Sequence, residues 1–301
     1  MKIFAPLPGE YIASALKRGN ELLGVKSLPA TDFYIKPIPR IGYGISNSIK
    51  RLNAESREHQ IFEFPEFLTK YNVAEEVLNN HTLHPLNAAL GRSRAHTNPT
   101  PKVWMKMCPD CAEQDHEIHG SAYIHRRHVQ ASVQVCDIHG SKLLNTCPHC
   151  SIPLRRHSIT KLGMCSQKHK FSKSSENSKR ELNSPKHLYA KFIAKLLNYS
   201  GPMVKRDIAD FLAQYSLLKY YAKELEYSNM NMDITIIIKR ELGLSVKNTN
   251  HGYLLDNNFP IIAFLGCRTA ERYLDLLVNE NARESLKKTV MTARLHWAQL
   301  Y

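Results

Sequence analysis

Apolar residues recur three and four apart along most of the chain, the spacing that gathers them on one face of an α-helix. Pro6 and Pro8 keep the first residues extended, and Gly9-Glu10 then opens a helix with Ile12, Ala15, Leu16, Leu22 and Leu23 on one side. Prolines around Pro37 to Arg40 mark a turn. Ser46 to Leu52 reads as a short helix with Ser46 as N-cap and Ile49 and Leu52 turned inward. Phe64-Pro65 starts another along Phe67, Leu68, Val73, Val77 and Leu78, and the segment from Asn80 to Leu90 reads as a short loop feeding a helix. Helical spacing resumes near Pro185 with Leu188, Phe192, Leu196 and Leu197, then runs from Asp207 to Glu226 along Ile208, Phe211, Leu212, Tyr215 and Leu218. Ile234 to Leu242 is apolar enough for a helix or a strand, and Asp233 and Gly243 fit helix caps.

Near the C-terminus, Phe259 to Gly266 predicts a short apolar helix closed by glycine. Cys267-Arg268-Thr269 makes the turn, and Thr269 caps a second helix through Ala270, Tyr273, Leu274 and Leu277. This is the grammar of a helix-turn-helix, whose second helix can enter a major groove. Arg268 and Arg272 would then face phosphates, with Lys287 and Lys288 adding a basic C-terminal helix. Packed helix pairs without nucleic-acid contacts share the same glycine turn, and the element can equally serve as a protein-docking surface. Cys267 reads as a small core residue.

The middle of the chain is polar and rich in loops, and its cysteines change the picture. It carries Cys108-Pro-Asp-Cys111, Cys136-Asp-Ile-His139, Cys147-Pro-His-Cys150 and Cys165-Ser-Gln-Lys-His169. Gaps within the pairs are two, two, two and three residues, and the pairs stand 24, 7 and 14 residues apart. A two-residue gap lets a tight turn aim both side chains at one ion, and two pairs complete a tetrahedron. The eight residues therefore predict two closed Cys₃His zinc sites. Sequential use of the pairs gives two consecutive ribbons, and an interleaved cross-brace would join the first pair to the third. His116, His119, His149 and His157 are spare histidines able to replace a named one. A disulfide scaffold is disfavoured because the N-terminus shows no apolar secretory core, and a reducing cytosol keeps thiols free for metal. The expected fold is mainly α with small zinc-ribbon β elements. It comprises a helical N-terminal domain (1–100), a tandem zinc-binding region (101–172), a Ser/Lys-rich linker (173–184) and a helical C-terminal domain (185–301) carrying the helix-turn-helix-like element.

Four protein ligands per ion make both zincs structural, since a catalytic zinc keeps one position open for water. None of the 15 histidines has a glutamate two residues later, so the zinc-deaminase signature is absent. His116-Glu117 does not continue into the H-E-x-x-H pattern. A zinc-dependent hydrolase or nuclease would have to draw its base from Glu113, Asp115 or Glu117. The net charge of +14 points to a polyanionic partner, most simply nucleic acid. Loading two Zn²⁺ on six thiolates lowers it only to about +12. No apolar run approaches membrane-spanning length, and no lipidation motif adjoins either terminus.

The ordered motifs of the first half resemble the TniQ/TnsD family of transposon target-selection proteins. Pro6-x-Pro8-x-Glu10 with Ser14 looks like that family's N-terminal hallmark, and His81-Thr-Leu-His-Pro-Leu86 is similar to its His-Thr-Leu-Phe-Pro-Leu segment. The likeness continues through Cys108-Pro-x-Cys111, Tyr123-x-His125-Arg126-x-His128, Val135-Cys136-x-x-His139-Gly140 and Leu143-Leu144-x-x-Cys147. His84 replaces the family's aromatic residue, and a Trp common in the Tyr-x-His-Arg-x-His run is lacking; these three basic residues read as braces of the ribbon. The resemblance implies a non-catalytic bacterial, cytoplasmic protein that chooses an insertion site and recruits an AAA+ ATPase regulator, which brings the transposase. Short members work as a homodimer on a CRISPR RNA-guided Cascade complex, whereas long TnsD-like members read a fixed attachment site in target DNA directly. The chain ends at Tyr301, without room for the long members' extension. The Cascade adaptor is therefore the expectation, with a truncated site-reading member as the alternative. A generic zinc-ribbon transcription regulator, working without ATPase or RNA-guided partner, is a third reading.

Overall fold

The computed structural model describes residues 6–22, 79–91, 105–162, 165, 180–221, 230–245 and 253–288. The helices expected at Ser46 and Phe64 lie outside these residues, as do His169, the proline turn at 37–40 and Leu23. The described chain is mainly helical with little strand. Its β structure is confined to isolated antiparallel bridges, Glu10 with His125, Met107 with Leu144, Val135 with Lys142 and Thr146 with Pro153. Each ribbon expected around the cysteines is thus reduced to knuckles pinned by single bridges, because the close cysteine turns leave no run long enough to ladder.

The N-terminal half contributes α1 (Ile12–Leu22), α2 (His84–Ala89), α3 (Pro109–His119) and the single turn α4 (Arg126–Val129). The C-terminal half contributes α5 (Pro185–Leu196), α6 (Arg206–Tyr221), α7 (Met230–Leu242), α8 (Tyr253–Cys267) and α9 (Ala270–Val278), with a further helical run over 280–288. Buried apolar residues from Tyr11 to Leu286 form one continuous cluster. Among the described residues no helix is long and apolar enough to cross a membrane.

At the centre lies α8, whose Ile261, Ile262, Ala263, Phe264 and Leu265 are all buried. Phe264 meets Tyr189 and Phe192 of α5 edge-on at 5.4 and 5.6 Å between ring centres. Such tilted contacts align the positive ring edge with the negative face. Pro260 sits inside α8 and withholds one backbone donor, a cost accepted within an otherwise apolar helix. Gly266 lies where α8 crosses α6. A Cβ placed there would stand 2.8 Å from the Leu217 nitrogen and 2.8 Å from the Ser216 Cβ, so glycine is what permits the close approach. The tight turn falls one step later than the glycine suggested. Cys267 still belongs to α8, and Arg268, at φ 65°, makes the reversal into α9. Thr269 then caps α9 by accepting from the Arg272 N–H at 3.3 Å.

Other expectations shift by a face. Leu22 and Leu188 are 64% and 44% exposed, although helical spacing placed them inward. On α6 the fully buried positions are Ala209, Leu212, Ala213, Ser216, Leu217 and Tyr221, with Ile208, Phe211, Tyr215 and Leu218 only half-buried. Small residues occupy the inner stripe because α8 packs so close there. The ambiguous segment Ile234–Leu242 is helical, and Asp233 lies inside α7 rather than capping it; Gly243 at φ 61° does close it. Gly266→Ala should destabilise the protein by about 1–3 kcal/mol through overpacking against the α6 backbone, read as a lower denaturation midpoint.

Candidate metal centres

Two compact sets of thiols and imidazoles organise the middle of the chain. The first holds Cys108, Cys111, Cys136 and His139, whose ligand atoms lie within 4.8 Å of one another. Cys108 ends an extended segment and Pro109 begins α3, so the two cysteines bracket the first helical turn, where Pro is preorganised and its missing N–H is not missed. Opposite them, a knuckle is closed by Gly140 N–H donating to Cys136 O (2.9 Å) and Cys136 N–H to Ser141 O (2.8 Å). The His139 Nδ1 stands 3.5, 3.4 and 3.6 Å from the sulfurs of Cys108, Cys111 and Cys136, and Cys111 and Cys136 sulfurs are 3.6 Å apart. A tetrahedral zinc with its usual bond lengths requires sulfur–sulfur edges of about 3.8 Å and sulfur–nitrogen edges of about 3.6 Å. The donor set and its spacing therefore fit that ion.

Electrostatics agrees. The Cys136 thiol is pulled far down by hydrogen bonds from Cys108 and Cys111, while Cys111 is pushed far up by its hydrogen bonds to Cys108 and Cys136 and by burial. Three buried sulfurs at such distances cannot all ionise without a cation between them. A divalent metal relieves that repulsion and deprotonates the remaining thiols.

The second set comprises Cys147, Cys150, His157 and Cys165. Cys165 Sγ lies 3.3 Å from Cys147 and 3.6 Å from Cys150. Among the described residues His157 offers the fourth donor, its Nε2 2.6 Å from the Cys165 sulfur, a tighter contact than a tetrahedral edge. Its Nδ1 lies 2.6 Å from the Ser158 carbonyl, which fixes the proton on Nδ1 and leaves the Nε2 lone pair free. Among the described residues, the first and second pairs lie together, as do the third pair and Cys165. His157 reaches the set because the 3₁₀ turn Leu154–Arg156 folds the chain back over it. His157 had been one of four spare histidines, and nothing in its spacing distinguished it.

The hallmark residues dock the N-terminus onto this middle. Glu10 is wholly buried and accepts from Arg18 Nη2 (2.8 Å), Ser14 Oγ (3.0 Å) and the Leu7 N–H (2.9 Å). Ser14 Oγ in turn accepts from the Ile124 N–H at 3.0 Å. His81 Nδ1 lies 2.9 Å from the Glu10 carbonyl, and Tyr123 OH donates to Pro8 O at 2.9 Å. Next to these, His125 meets Asp115 at 2.8 Å, and Arg126 donates to Asn79 O and, at 3.3 Å, to Asn198 Oδ1. Every one of these side chains ties elements together. His187, which the sequence did not single out, takes the Asn183 N–H on Nδ1 (3.0 Å) and donates from Nε2 to Asp137 O (2.9 Å), anchoring α5 to the first knuckle.

The second set is joined to α1 through Glu21. That carboxylate accepts from Ser158 Oγ (2.6 Å), Ile159 N–H (3.1 Å) and Thr160 N–H (3.1 Å), and pairs with Lys17 at 2.5 Å. Burial opposes its charge, but the hydrogen bonds from Lys17, Ser158 and Thr160 outweigh it and hold its carboxyl below the usual range.

The basic residues expected to face phosphates are placed differently from one another. Arg268 pairs with Glu241 at 3.3 Å and lies over the Tyr220 and Tyr221 rings at 5.7 and 5.6 Å. Arg272 donates to Tyr220 OH and covers that ring at 5.5 Å. Lys287 and Lys288 are exposed on the run that follows α9.

Residues 3–143 match the TniQ family model. No curated protein matches the chain.

Glu10→Ala should leave Arg18 buried without its partner and cost about 3–5 kcal/mol, seen as a large fall in melting temperature. Glu21→Gln should cost about 1–3 kcal/mol at pH 7. Because the folded pKa is depressed, that stabilisation is present above the unfolded value of about 4.3 and is lost as pH falls through the folded one. The difference between wild type and variant should therefore vanish in strongly acidic denaturation curves.

Proposed function

We propose, from a chain whose residues 3–143 carry a TniQ-family domain, that this protein is a non-catalytic target-selection adaptor of a DNA transposon. In this reading it links an RNA-guided Cascade complex to the AAA+ ATPase regulator that brings the transposase. The observation that carries the proposal is the reach of the match. It begins ahead of the Pro6–Glu10 segment and ends at Leu143, so it takes in the first Cys₃His set and the buried Glu10 network that docks α1 upon it. The shared features are thus those that hold a shape.

Zinc in both centres would supply cross-links. Cys108, Cys111, Cys136 and His139 would hold one ion, and Cys147, Cys150, His157 and Cys165 the other. Four protein donors fill each tetrahedron, which supports a structural role over a zinc-dependent hydrolase or nuclease needing an open position for water. The metal-binding region of 101–172 would then stand as a rigid block between helical lobes, one surface for the targeting complex and another for the ATPase. The basic excess of the chain and the exposed Lys287 and Lys288 would add salt-dependent affinity for target DNA. A homodimer and residence in a reducing bacterial cytoplasm complete the reading. A second reading, direct recognition of an attachment site, draws support from the α8–α9 pair, two helices joined by a short turn that Thr269 caps.

Three measurements test this. Metal analysis of the purified protein should give two zincs per chain, with X-ray absorption showing sulfur-rich shells free of water; a water ligand together with turnover would favour the hydrolase. Co-expression with the neighbouring ATPase and effector subunits should yield a stable co-purifying assembly. In gel shifts the isolated protein should bind DNA weakly and without sequence preference. Tight binding to one duplex would replace the adaptor by a direct site reader.

A further inference from the structure

The two Cys₃His sets differ in what surrounds their sulfurs. With zinc bound, three thiolates and a neutral imidazole leave each centre one negative charge in excess. At the first centre that charge is met from within. Arg127 Nη2 donates to Cys111 Sγ at 3.6 Å, and its Nε stands 3.3 Å from Asp137 Oδ1, which holds the guanidinium in place. His128 is buried beside Cys136, and neither of its ring nitrogens has a hydrogen-bond partner. Its ligand atom nevertheless lies within 4.8 Å of those of Cys136 and Asp137. A thiolate at Cys136 is the acceptor this orphaned imidazole lacks. N–H donors directed at metal-bound thiolates draw electron density from sulfur and slow both its protonation and its oxidation.

The second centre is built otherwise. Cys150 and Cys165 are only half-buried, and Cys147 is served by the backbone N–H groups of His149 and Cys150. No arginine hydrogen bond reaches its sulfurs among the described residues. Its fourth donor and Cys165 bracket the segment that Glu21 of α1 grips through Ser158, Ile159 and Thr160.

We propose that the two centres are unequal. Arg127 and His128 are positioning residues that keep the first metal trapped, whereas the second centre exchanges its metal and in doing so releases α1. This rests on the zinc reading given above. No covalent step is required, since chelation alone exchanges the ion.

The test uses the full chain loaded with two zinc equivalents. It is mixed with excess EDTA, or separately with dilute hydrogen peroxide, and released zinc is followed with a colorimetric chelator. One equivalent should leave in a fast phase and the other at least about tenfold more slowly. Amide exchange across 12–22 should rise with the fast phase alone. Cys150→Ser should remove the fast equivalent and leave the slow one. Arg127→Met and His128→Phe should each speed the slow phase about tenfold, leave the fast phase unchanged, and shift the sulfur-to-cobalt charge-transfer band of cobalt-substituted protein. Arg127→Lys, which keeps a donor and a charge, should restore most of the slowness and guards against a variant that merely misfolds. Release of both equivalents in one phase overturns the inequality, as does a slow phase indifferent to Arg127 and His128. A chain that binds no zinc at all sinks the metal reading itself, a different outcome from two zincs released together.

Discussion

Three buried sulfurs and one imidazole nitrogen, each within 3.6 Å of a neighbour in the set, set the terms for the middle of this protein. Left to themselves, such groups repel as soon as a second thiol ionises. A divalent cation held there would turn that repulsion into four bonds and join the start of α3 to a knuckle some two dozen residues on. Around it the backbone offers only isolated bridges, with no ladder to take over the load. Small loop-rich segments of this kind draw their folding energy from the ion.

What the metal-ready knuckles fix, buried polar groups carry outward. Glu10 is removed from water entirely, a placement that would be prohibitive for a lone carboxylate and is tolerable only with Arg18, Ser14 and the Leu7 amide around it. The same cluster reaches Ile124 through Ser14, so the N-terminal helix cannot shift without disturbing the run that contains His125, Arg126 and His128. His187 does the corresponding work for α5 by holding the Asp137 carbonyl. The first centre thus sits at the meeting point of the N-terminal helix, the knuckles and the C-terminal helices. For a protein proposed to act by holding partners in a fixed relation, that rigidity is the relevant property.

In the C-terminal half, close approach replaces cross-linking. Gly266, with Ala209, Ala213 and Ser216 on the inner stripe of α6, lets α8 and α6 pack nearly backbone to backbone. The turn into α9 is then made by Arg268 in a left-handed conformation, where its guanidinium is occupied by Glu241 and two tyrosine rings. A residue so engaged steadies the turn, and Lys287 and Lys288 after α9 are exposed at the surface.

By itself the sequence determined the helical character of the chain, the short-gap cysteine pairs, the cap at Thr269 and the match of residues 3–143 to the TniQ family model. These are local properties, written in spacing and residue type. It did not single out His157, which among the described residues stands at the second set, because His157 arrives there through a 3₁₀ turn rather than through a pairwise motif. Nor did it reveal that Leu22 and Leu188 face solvent, that small residues line α6, or that His187 braces the first knuckle. Periodicity says that a helix has an apolar face, but which neighbour covers it, and how closely, depends on contacts between residues far apart in the chain. Only the tertiary structure brings those together.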